Sequence, residues 1–522
     1  MPAQTIMKPT GREHGVPDVL TGTVLALCLA VVSLVFLASS GVRAEDQEPP
    51  ATRSLPGGGG ATLHGRLIKV PNQVPPGRLL VLGFAGDLGF SGKDQPLSSA
   101  GAVRHGRVIP WESFTSGVKT LLSADVDFAN LETVITDQPH LAEINKAFNF
   151  AAAPEGLQEV VKAGIDVLTA ANNHAADYGE PGIADSLLHL EAARAVGLKA
   201  HAGLGRGDER YRPSVLDVEG IPVGVAAIGR GINPAGREGY GQPLYASAPD
   251  FARVSRSLAD TKADIRVLSV HYNEELGLLP AAADKQRFRS SVDRGEATIV
   301  FGHHSHVASG VERRGDGVIF YGLGNFLHPG TQNMARYGQC RDFGLYARVY
   351  LWIVPGYKPV LRAVEITPLR DMHEITRPFP VAEAAIRVSL VNAMSDALSR
   401  DGGEALRFTP TAEGTGLACL PGSADYGDEL AARCQAQASP IVQVAAPAGA
   451  DLASCKPVAQ PAVAANPKLT TPKRVTPIAQ PAKTPAKPKV EAAKSPDRQP
   501  PRKFHLFSRS ETGLSKPGRT NK

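Results

Sequence analysis

The stretch ATIVFGHHSH, residues 297–306, decides how this chain folds. Its first five residues are apolar or β-prone, and a glycine and three histidines follow at once. A short apolar run of this length is typical of a strand buried in a sheet. The polar residues that follow would then stand at the carboxyl end of the strand, which is where α/β proteins bind their ligands.

The same arrangement recurs toward the N-terminus. Further apolar runs predict strands over 79–85, 126–131, 165–170 and 265–270. Helices are predicted between and after the strands, over 111–122, 155–163, 181–196, 249–261, 282–294 and 381–400. Such alternation predicts an α/β fold with a largely buried sheet.

Two other regions have a different pattern. Residues 213–229 hold two extended runs around a Glu-Gly turn, which predicts a β-hairpin. Further β-like runs recur from 311 to 369, and they predict a second, partly antiparallel sheet in that region.

Each predicted strand ends in side chains that can bind a metal ion. In chain order, these candidates are Asp87, Glu132, Asn172, Asn173, His174, Asp177, His271, Glu275, His303, His304 and His306. Carboxylate and amide oxygens mixed with imidazoles suit Mn, Fe or Zn. One or two such divalent ions would polarise a phosphoryl or carbonyl oxygen and acidify a water molecule.

Two features refine this prediction. In an extended loop His304 and His306 would point the same way, because they are two residues apart. His174, if it binds no metal, could act as a general acid toward a leaving oxygen.

Each candidate also has a structural interpretation. Asp87 alone could cap a turn, Asn172 and Asn173 could form one, and His271 could be a core histidine. The three clustered histidines and the repetition over five strand ends favour a metal site. The other histidines lack this context, and we predict surface or structural roles for His64, His105, His140, His189, His201, His328 and His373.

The N-terminus predicts export from the cytoplasm. Residues 19–38 are nearly uncharged over about 20 positions, which is long enough to cross a membrane as a helix. We therefore expect residues 1–44 to be a signal peptide or an uncleaved anchor in the inner membrane. Residues 45–77 are rich in Pro and Gly and predict a linker.

The C-terminal part changes in composition. We expect a folded domain over 78–400, a C-terminal extension over 401–439, and a disordered Pro/Ala/Lys-rich tail over 440–522. Residues 456–522 carry 15 Lys and Arg against 3 Asp and Glu, although the whole chain has a net charge of only +5. This balance excludes a polycation of the histone kind, and the few aromatic residues of the tail give no reason to expect nucleic-acid binding.

Export would place four of the five cysteines in an oxidising compartment. An oxidising compartment permits disulfides among the four cysteines outside the N-terminal segment, and three pairings are open. Their spacing fits no zinc motif. They are Cys340, Cys419, Cys434 and Cys455.

The polar strand ends resemble the motifs of the CapA family, bacterial proteins of poly-γ-glutamate capsule synthesis. The resemblance covers residues 79–370, and GHHSHV and NNH are its most specific elements. The matching segments are GD (86–87), NLE (130–132), NNHxxDYG (172–179), HYNEE (271–275), GHHSHV (302–307) and YGLGNF (321–326).

The resemblance implies a fold and a set of roles. CapA proteins are similar to calcineurin-like metallophosphoesterases, which are four-layer α/β/β/α sandwiches with a two-metal centre between the sheets. By this similarity, His174 is the proton donor, and Asn325 shapes the site. The implied metal ligands are Asp87, Asn173, His271, His304 and His306, with less defined roles for Glu132 and Glu275.

The chain departs from these families at several positions. The usual HWGxE motif is HYNEE here, GHHPH is GHHSH, and YSLGNF is YGLGNF. Metallophosphoesterases also place a histidine two residues after the first aspartate, where this chain has Gly89. One expected ligand is therefore missing, and the number of metal ions stays open at one or two.

The expected function is that of an envelope protein. One hypothesis is a membrane-anchored or secreted metal-dependent hydrolase that acts on a phosphoester or on an amide of an envelope polymer. The alternative is a non-catalytic component that binds or tethers an anionic polymer in a capsule synthesis complex, since the basic tail would attract a polyanion.

Overall fold

The computed structural model describes residues 61–63, 66–68, 77–234, 236–438 and 452–455. The predicted N-terminal segment 1–44, most of the linker 45–77 and almost all of the tail 440–522 lie outside these residues, so those predictions stay predictions. Among the helices that are described, none combines the length and the apolar character needed to cross a membrane.

Strands make up most of the regular structure in the described residues. In chain order they are β1 (Ala61–Leu63), β2 (Arg66–Ile68), β3 (Arg78–Leu88), β4 (Gly101–Arg104), β5 (Arg107–Pro110), β6 (Val126–Leu131), β7 (Val134–Ile135), β8 (Ala151–Ala152), β9 (Val167–Thr169), β10 (Ala200–Ala202), β11 (Gly205–Arg206), β12 (Ser214–Val218), β13 (Ile221–Gly229), β14 (Tyr240–Gly241), β15 (Ile265–His271), β16 (Ile299–His303), β17 (Val311–Arg314), β18 (Gly317–Phe320), β19 (Asn325–Leu327), β20 (Gly344–Ile353), β21 (Val360–Arg370), β22 (Arg377–Pro378), β23 (Glu404–Ala405), β24 (Thr409–Pro410) and β25 (Gly416–Cys419).

Helices connect many of these strands. The α-helices are α1 (Trp111–Ser116), α2 (Pro154–Ala163), α3 (Gly179–Ala192), α4 (Ala248–Ala259), α5 (Ala282–Asp293), α6 (Val381–Ser399) and α7 (Asp428–Ala438). Short 3-10 turns occur at Ala193–Val196, Gly207–Tyr211, Met334–Tyr337, Ser423–Asp425 and Leu452–Ser454.

Two large sheets carry the fold. The first has ten strands in the order β10-β9-β6-β3-β20-β21-β25-β24, with β19 beside β3 and β22 beside β21. Its strands β10, β9, β6, β3 and β19 are parallel, and β20 and β21 are antiparallel. The second has seven strands in the order β12-β13-β15-β16-β18-β17-β23, of which β13, β15, β16 and β18 are parallel.

The predicted elements are present in these sheets. The five predicted strands correspond to β3, β6, β9, β15 and β16, and the predicted hairpin is β12–β13. The runs over 311–369 do not form a sheet of their own. Strands β17 and β18 join the seven-stranded sheet, whereas β20 and β21 join the ten-stranded sheet. An apolar pattern identifies a strand, but it does not say which sheet the strand joins.

The main core lies between the two sheets. The ring of Phe84 in the first sheet lies 5.2 Å from that of Phe301 and 5.9 Å from that of Phe320 in the second. Each fully buried phenylalanine stabilises the fold by roughly 1.5–3 kcal/mol. This packing holds the two sheets face to face.

The other face of each sheet packs against helices. Residues such as Phe114 and Leu157 from α1 and α2 pack on the first sheet, with Leu190 from α3. Leu258 from α4 and Phe288 from α5 pack on the second sheet. The described residues therefore form helix, sheet, sheet and helix layers in a mixed α/β fold.

Residues beyond 400 take part in the same sheets. Strand β23 pairs with β17, and β25 pairs with β21. Disulfides join Cys340 to Cys455 and Cys419 to Cys434, which selects one of the three possible pairings. The segment predicted as an extension is thus part of both sheets.

Candidate metal centre

Strand register brings the polar strand ends together. On the first sheet Asp87 pairs with Asn130 on β6 and with Asn325 on β19. On the second sheet His271 pairs with His303. Asp87, Asn130, His271 and His303 lie at or next to the carboxyl ends of parallel strands, and Asn325 begins β19 beside Asp87. The two sets meet across the core.

Asp87 is at the middle of this meeting point and is fully buried. The register between β3 and β6 shifts between Phe84 and Asp87, an irregularity of the kind that can re-aim a side chain near a site. The Oδ1 atom of Asp87 accepts a hydrogen bond from Asn130 Nδ2 at 2.8 Å and lies 2.9 Å from His303 Nδ1. Its Oδ2 accepts from the backbone N–H of His304 at 3.2 Å.

Two overlapping groups of side chains could hold a metal ion. Glu132, His271 and His304 form the first group, and Asp87, Glu132 and His306 form the second. Within each group the potential ligand atoms lie within 4.8 Å of one another. Glu132 is common to both groups, so the arrangement suits one ion or a bridged pair.

The pattern of hydrogen bonds fits a bound cation. Both carboxylate oxygens of Glu132 are buried, and neither makes a hydrogen bond to another described residue. His271 Nε2 lies 3.3 Å from Glu132 Oε1 and 2.6 Å from Asn173 Oδ1. A buried carboxylate without hydrogen bonds is costly, and a divalent ion would satisfy it. The donor set of oxygens and imidazoles suits Mn, Fe or Zn.

The carboxyl groups are held in their ionised form. Burial alone would raise the pKa of Asp87, but nearby histidines including His303 outweigh it and the pKa is lowered. Burial acts in the same direction on Glu132, and His271 and His306 hold its pKa well below the ordinary value. Ionised carboxylates are the form that binds metal.

The two histidines of the loop differ in charge. Burial and the neighbouring His271 hold the pKa of His304 well below its ordinary value, so its imidazole is neutral. Burial would lower the pKa of His306, but the nearby Glu132 and Asp87 outweigh burial, and the pKa is raised. A neutral imidazole is the ligand form, whereas a metal ion would have to displace a proton from His306.

The backbone after β16 is not extended. His304 and His306 have φ values of 85° and 58°, in the left-handed region that non-glycine residues adopt infrequently. The condition under which the two side chains would point the same way, an extended loop, is therefore not met. Their rings nevertheless lie 6.0 Å apart.

His174 has a different environment from the other histidines. Its Nδ1 lies 2.6 Å from Asp177 Oδ2, and Lys146 Nζ donates to Asp177 Oδ1 at 2.5 Å and to the carbonyl of Asn173 at 2.7 Å. Its ring lies 4.4 Å from that of Phe150. Burial lowers the pKa of His174, Asp177 opposes this, and Lys146 reinforces it.

Three other candidates have supporting positions. Asn172 donates to the carbonyl of Leu131 at 2.7 Å and accepts from the backbone N–H of His174 at 3.0 Å, so its amide braces the loop. Asn325 Oδ1 lies 2.9 Å from His306 Nδ1 and orients that ring. Glu275 is exposed, and it contributes to the raised pKa of His306.

The site contains residues that sequence reasoning did not select. Asn130 contacts both Asp87 and His271, and its position at a strand end could have identified it. Nothing in the sequence around Lys146 indicated its contact with Asp177. His328 was expected to be a surface or structural histidine, but it is fully buried and its Nε2 lies 3.3 Å from Glu132 Oε2.

Comparison with known proteins finds similarity to bacterial capsule synthesis proteins. Residues 81–329 match the model of the bacterial capsule synthesis protein family PGA_cap. The chain is 28% identical to the PGA biosynthesis protein CapA of Bacillus subtilis over 269 residues, which are 51% of this chain and 66% of that protein. It is 29% identical to the capsule biosynthesis protein CapA of Bacillus anthracis over 215 residues, 40% of this chain and 51% of that protein. The resemblance to the CapA family is thereby confirmed, and the chain spans about half to two thirds of each of these relatives.

Similarity to solved structures is distant. The calcineurin-like phosphoesterase YfkN of Bacillus subtilis superposes with a TM-score of 0.29 and 10% sequence identity. The match covers 55% of this chain and 91% of that structure. At this score the superposition adds nothing to the fold described above.

Proposed function

We propose that this chain is a CapA-like protein of capsule or poly-γ-glutamate biosynthesis in the bacterial cell envelope. Its two-sheet domain is of the metallophosphoesterase type, a four-layer α/β/β/α sandwich, and works as a metal-dependent hydrolase. The substrate is a phosphoester or an amide of the envelope polymer. The observation that carries this proposal is the convergence of buried Asp87, Glu132 and His271 with two histidines of the GHHSH loop.

The residues of the centre divide into ligands and a proton donor. Asp87, Glu132, Asn173, His271, His304 and His306 would hold one or two ions. When bound, a divalent ion of the Mn, Fe or Zn kind would polarise the phosphoryl or carbonyl oxygen and acidify a water molecule.

His174 would deliver a proton to the leaving group, which is the oxygen of a phosphoester or the nitrogen of an amide. The contact with Asp177 supports an Nδ1–H tautomer, so that Nε2 is the atom that exchanges the proton. Lys146 holds the carboxylate of Asp177 and thereby fixes the orientation of the ring.

Two features of the chain support a location outside the cytoplasm. Two disulfides are typical of proteins outside the cytoplasm. The apolar segment 19–38 would direct export and could anchor the protein in the inner membrane.

The experiment uses the full-length protein stripped by a chelator and reloaded with Mn²⁺, Fe²⁺ or Zn²⁺. The substrate panel contains p-nitrophenyl phosphate, bis(p-nitrophenyl) phosphate and γ-linked glutamate oligomers. We expect one ion to restore turnover of at least one substrate. Tight metal binding without turnover of any substrate would contradict the hydrolase.

The second candidate function is polymer binding without catalysis. It is favoured by the 15 Lys and Arg against 3 Asp and Glu in residues 456–522, because a cationic segment attracts polyanions in a salt-dependent way. Retention of poly-γ-glutamate by the full chain should fall when residues 456–522 are removed, a truncation that keeps Cys455 and its disulfide to Cys340. It should also fall when their lysines and arginines are replaced by glutamine. Equal retention by all three proteins would dismiss this role.

A further inference from the structure

Gly89 is buried at the end of β3, two residues after Asp87. Its φ is not positive, so the backbone does not require glycine at this position. The reason for a glycine is space. A Cβ atom at position 89 would lie 2.9 Å from Cε1, 3.0 Å from Nδ1 and 3.2 Å from Nε2 of His328.

The imidazole of His328 reaches this space from another strand. β19 runs parallel to the end of β3, with Leu327 paired to Leu88, and the N–H of Gly89 donates to the carbonyl of Leu327 at 2.8 Å. The backbone N–H of His328 donates to the carbonyl of Met372 at 2.7 Å. Hydrogen bonds to Gly89 and to Met372 therefore hold the backbone around His328 in place.

The ring of His328 faces the metal centre. Its side chain is fully buried, and neither ring nitrogen makes a hydrogen bond to another described residue. Nε2 lies 3.3 Å from Glu132 Oε2, and the ring centroid lies 5.7 Å from that of His306. A buried imidazole with no hydrogen bond, next to a buried carboxylate with none, is an arrangement that a shared cation would satisfy.

We propose that His328 is a metal ligand that completes the group formed by Asp87, Glu132 and His306. Directly after β19, it supplies the imidazole that Gly89 lacks. The inference rests on the proposed metal centre. It goes further because it predicts that this subsite is complete and that its fourth ligand comes from a different strand.

The test measures metal binding rather than turnover. The full-length protein and its His328→Ala variant are titrated with Mn²⁺ by calorimetry, and bound metal is counted by elemental analysis. His201→Ala is the control, since His201 pairs with Glu191 at 2.7 Å away from the centre. We expect His328→Ala to weaken one Mn²⁺ site by at least about tenfold, a loss seen even for groups that only support a ligand, and His201→Ala to leave it unchanged.

Two further measurements separate a ligand from a positioning residue. The Co²⁺-loaded protein should change its visible absorption when His328 is replaced by alanine, because a nitrogen ligand is lost. In the double variant Gly89→His/His328→Ala, an imidazole returns from β3, and we expect the Mn²⁺ affinity to recover. Circular dichroism checks that each variant is folded.

The outcomes are distinguishable. A wild-type protein that binds no Mn²⁺ or Co²⁺ would remove the proposed metal centre and the inference together. A wild-type protein that binds metal, with unchanged Mn²⁺ affinity and Co²⁺ spectrum in folded His328→Ala, would overturn the inference and leave the centre in place.

Discussion

Asp87 and His304 are 217 residues apart in the chain, yet Asp87 Oδ2 accepts a hydrogen bond from the backbone N–H of His304 at 3.2 Å. Asp87 ends a strand of the first sheet, and His304 follows a strand of the second. This hydrogen bond connects the two sheets at the candidate metal centre. The centre is therefore a product of how the sheets pack, and changes to it should affect metal binding before they affect the fold.

Asp87→Asn should abolish metal binding. The Asp87 carboxylate contacts the side chains of Asn130 and His303 and the backbone N–H of His304. An amide in its place carries no charge to attract a cation. We expect bound metal to fall to background and turnover to fall by at least about 100-fold, consistent with the loss of Lewis-acid assistance. Elemental analysis and phosphoester turnover measure both effects.

A matched control is available for Asp87→Asn. Asp137 is an exposed carboxylate in a peripheral group with Asp185 and His189 that also has metal-compatible spacing. Asp137→Asn should retain full metal content and turnover. Loss of metal from Asp137→Asn but not from Asp87→Asn would place the metal site elsewhere.

His174→Gln should lower turnover without lowering metal binding. His174 contacts Asp177 and not the carboxylates of the centre, so the variant should keep its metal. Loss of the proton donor should reduce kcat by about 10²–10⁴-fold. His201→Gln is the control because it also removes one member of a His–carboxylate pair. Metal loss in His174→Gln would show that His174 is a ligand instead.

Asp127 should make stability depend on pH. Burial raises the pKa of Asp127 to about 7, partly offset by the hydroxyl of Tyr346, which donates to it at 2.6 Å. The folded state thus binds this proton more tightly than the unfolded state, whose pKa is about 3.9. The resulting stabilisation is full below pH 4 and is lost as the pH rises to 7, by up to about 1.4 kcal/mol per unit.

Asp127→Asn removes that titration. Relative to the wild type, the variant should become more stable as the pH rises from 5 to 8, as measured by urea unfolding. Asp316→Asn, at an exposed position, should show no such trend. A difference between wild type and Asp127→Asn that is constant with pH would contradict the raised pKa.

The disulfides should contribute unequally to stability. The bond from Cys340 to Cys455 spans 115 residues, and that from Cys419 to Cys434 spans 15. By chain entropy, closing loops of about 100 and 15 residues is worth about 4.7 and about 3 kcal/mol. Paired Cys→Ser variants compared by urea unfolding should follow this order. Alkylation before and after reduction checks that both bonds form, and free thiols at Cys340, Cys419, Cys434 and Cys455 before reduction would contradict them.

Much of the fold is predictable because local pattern decides it. The runs that became β6 and β15 are apolar and short, and the residues after them are polar, so strand positions and strand-end donors such as Asp87 and His271 could be found from sequence. Sheet membership could not, since β18 and β20 are both largely apolar runs and join different sheets.

The parts of the centre that sequence reasoning missed depend on tertiary contact. His328 reaches Glu132 only because β19 pairs with the end of β3. Lys146 lies in a loop with no apolar period, and its contact with Asp177 arises from the packing of that loop against His174. The left-handed backbone at His304 and His306 likewise depends on the surrounding contacts.

Anomalous diffraction from crystals grown with Mn²⁺ would locate the ion in the proposed centre. We expect a Mn²⁺ peak within about 2.0–2.5 Å of ligand atoms from Asp87, Glu132 and the histidines at 271, 304 and 306, a distance range typical of such bonds. Mn²⁺ bound only at Asp137, Asp185 and His189, or no ordered Mn²⁺ at saturating concentration, would contradict it.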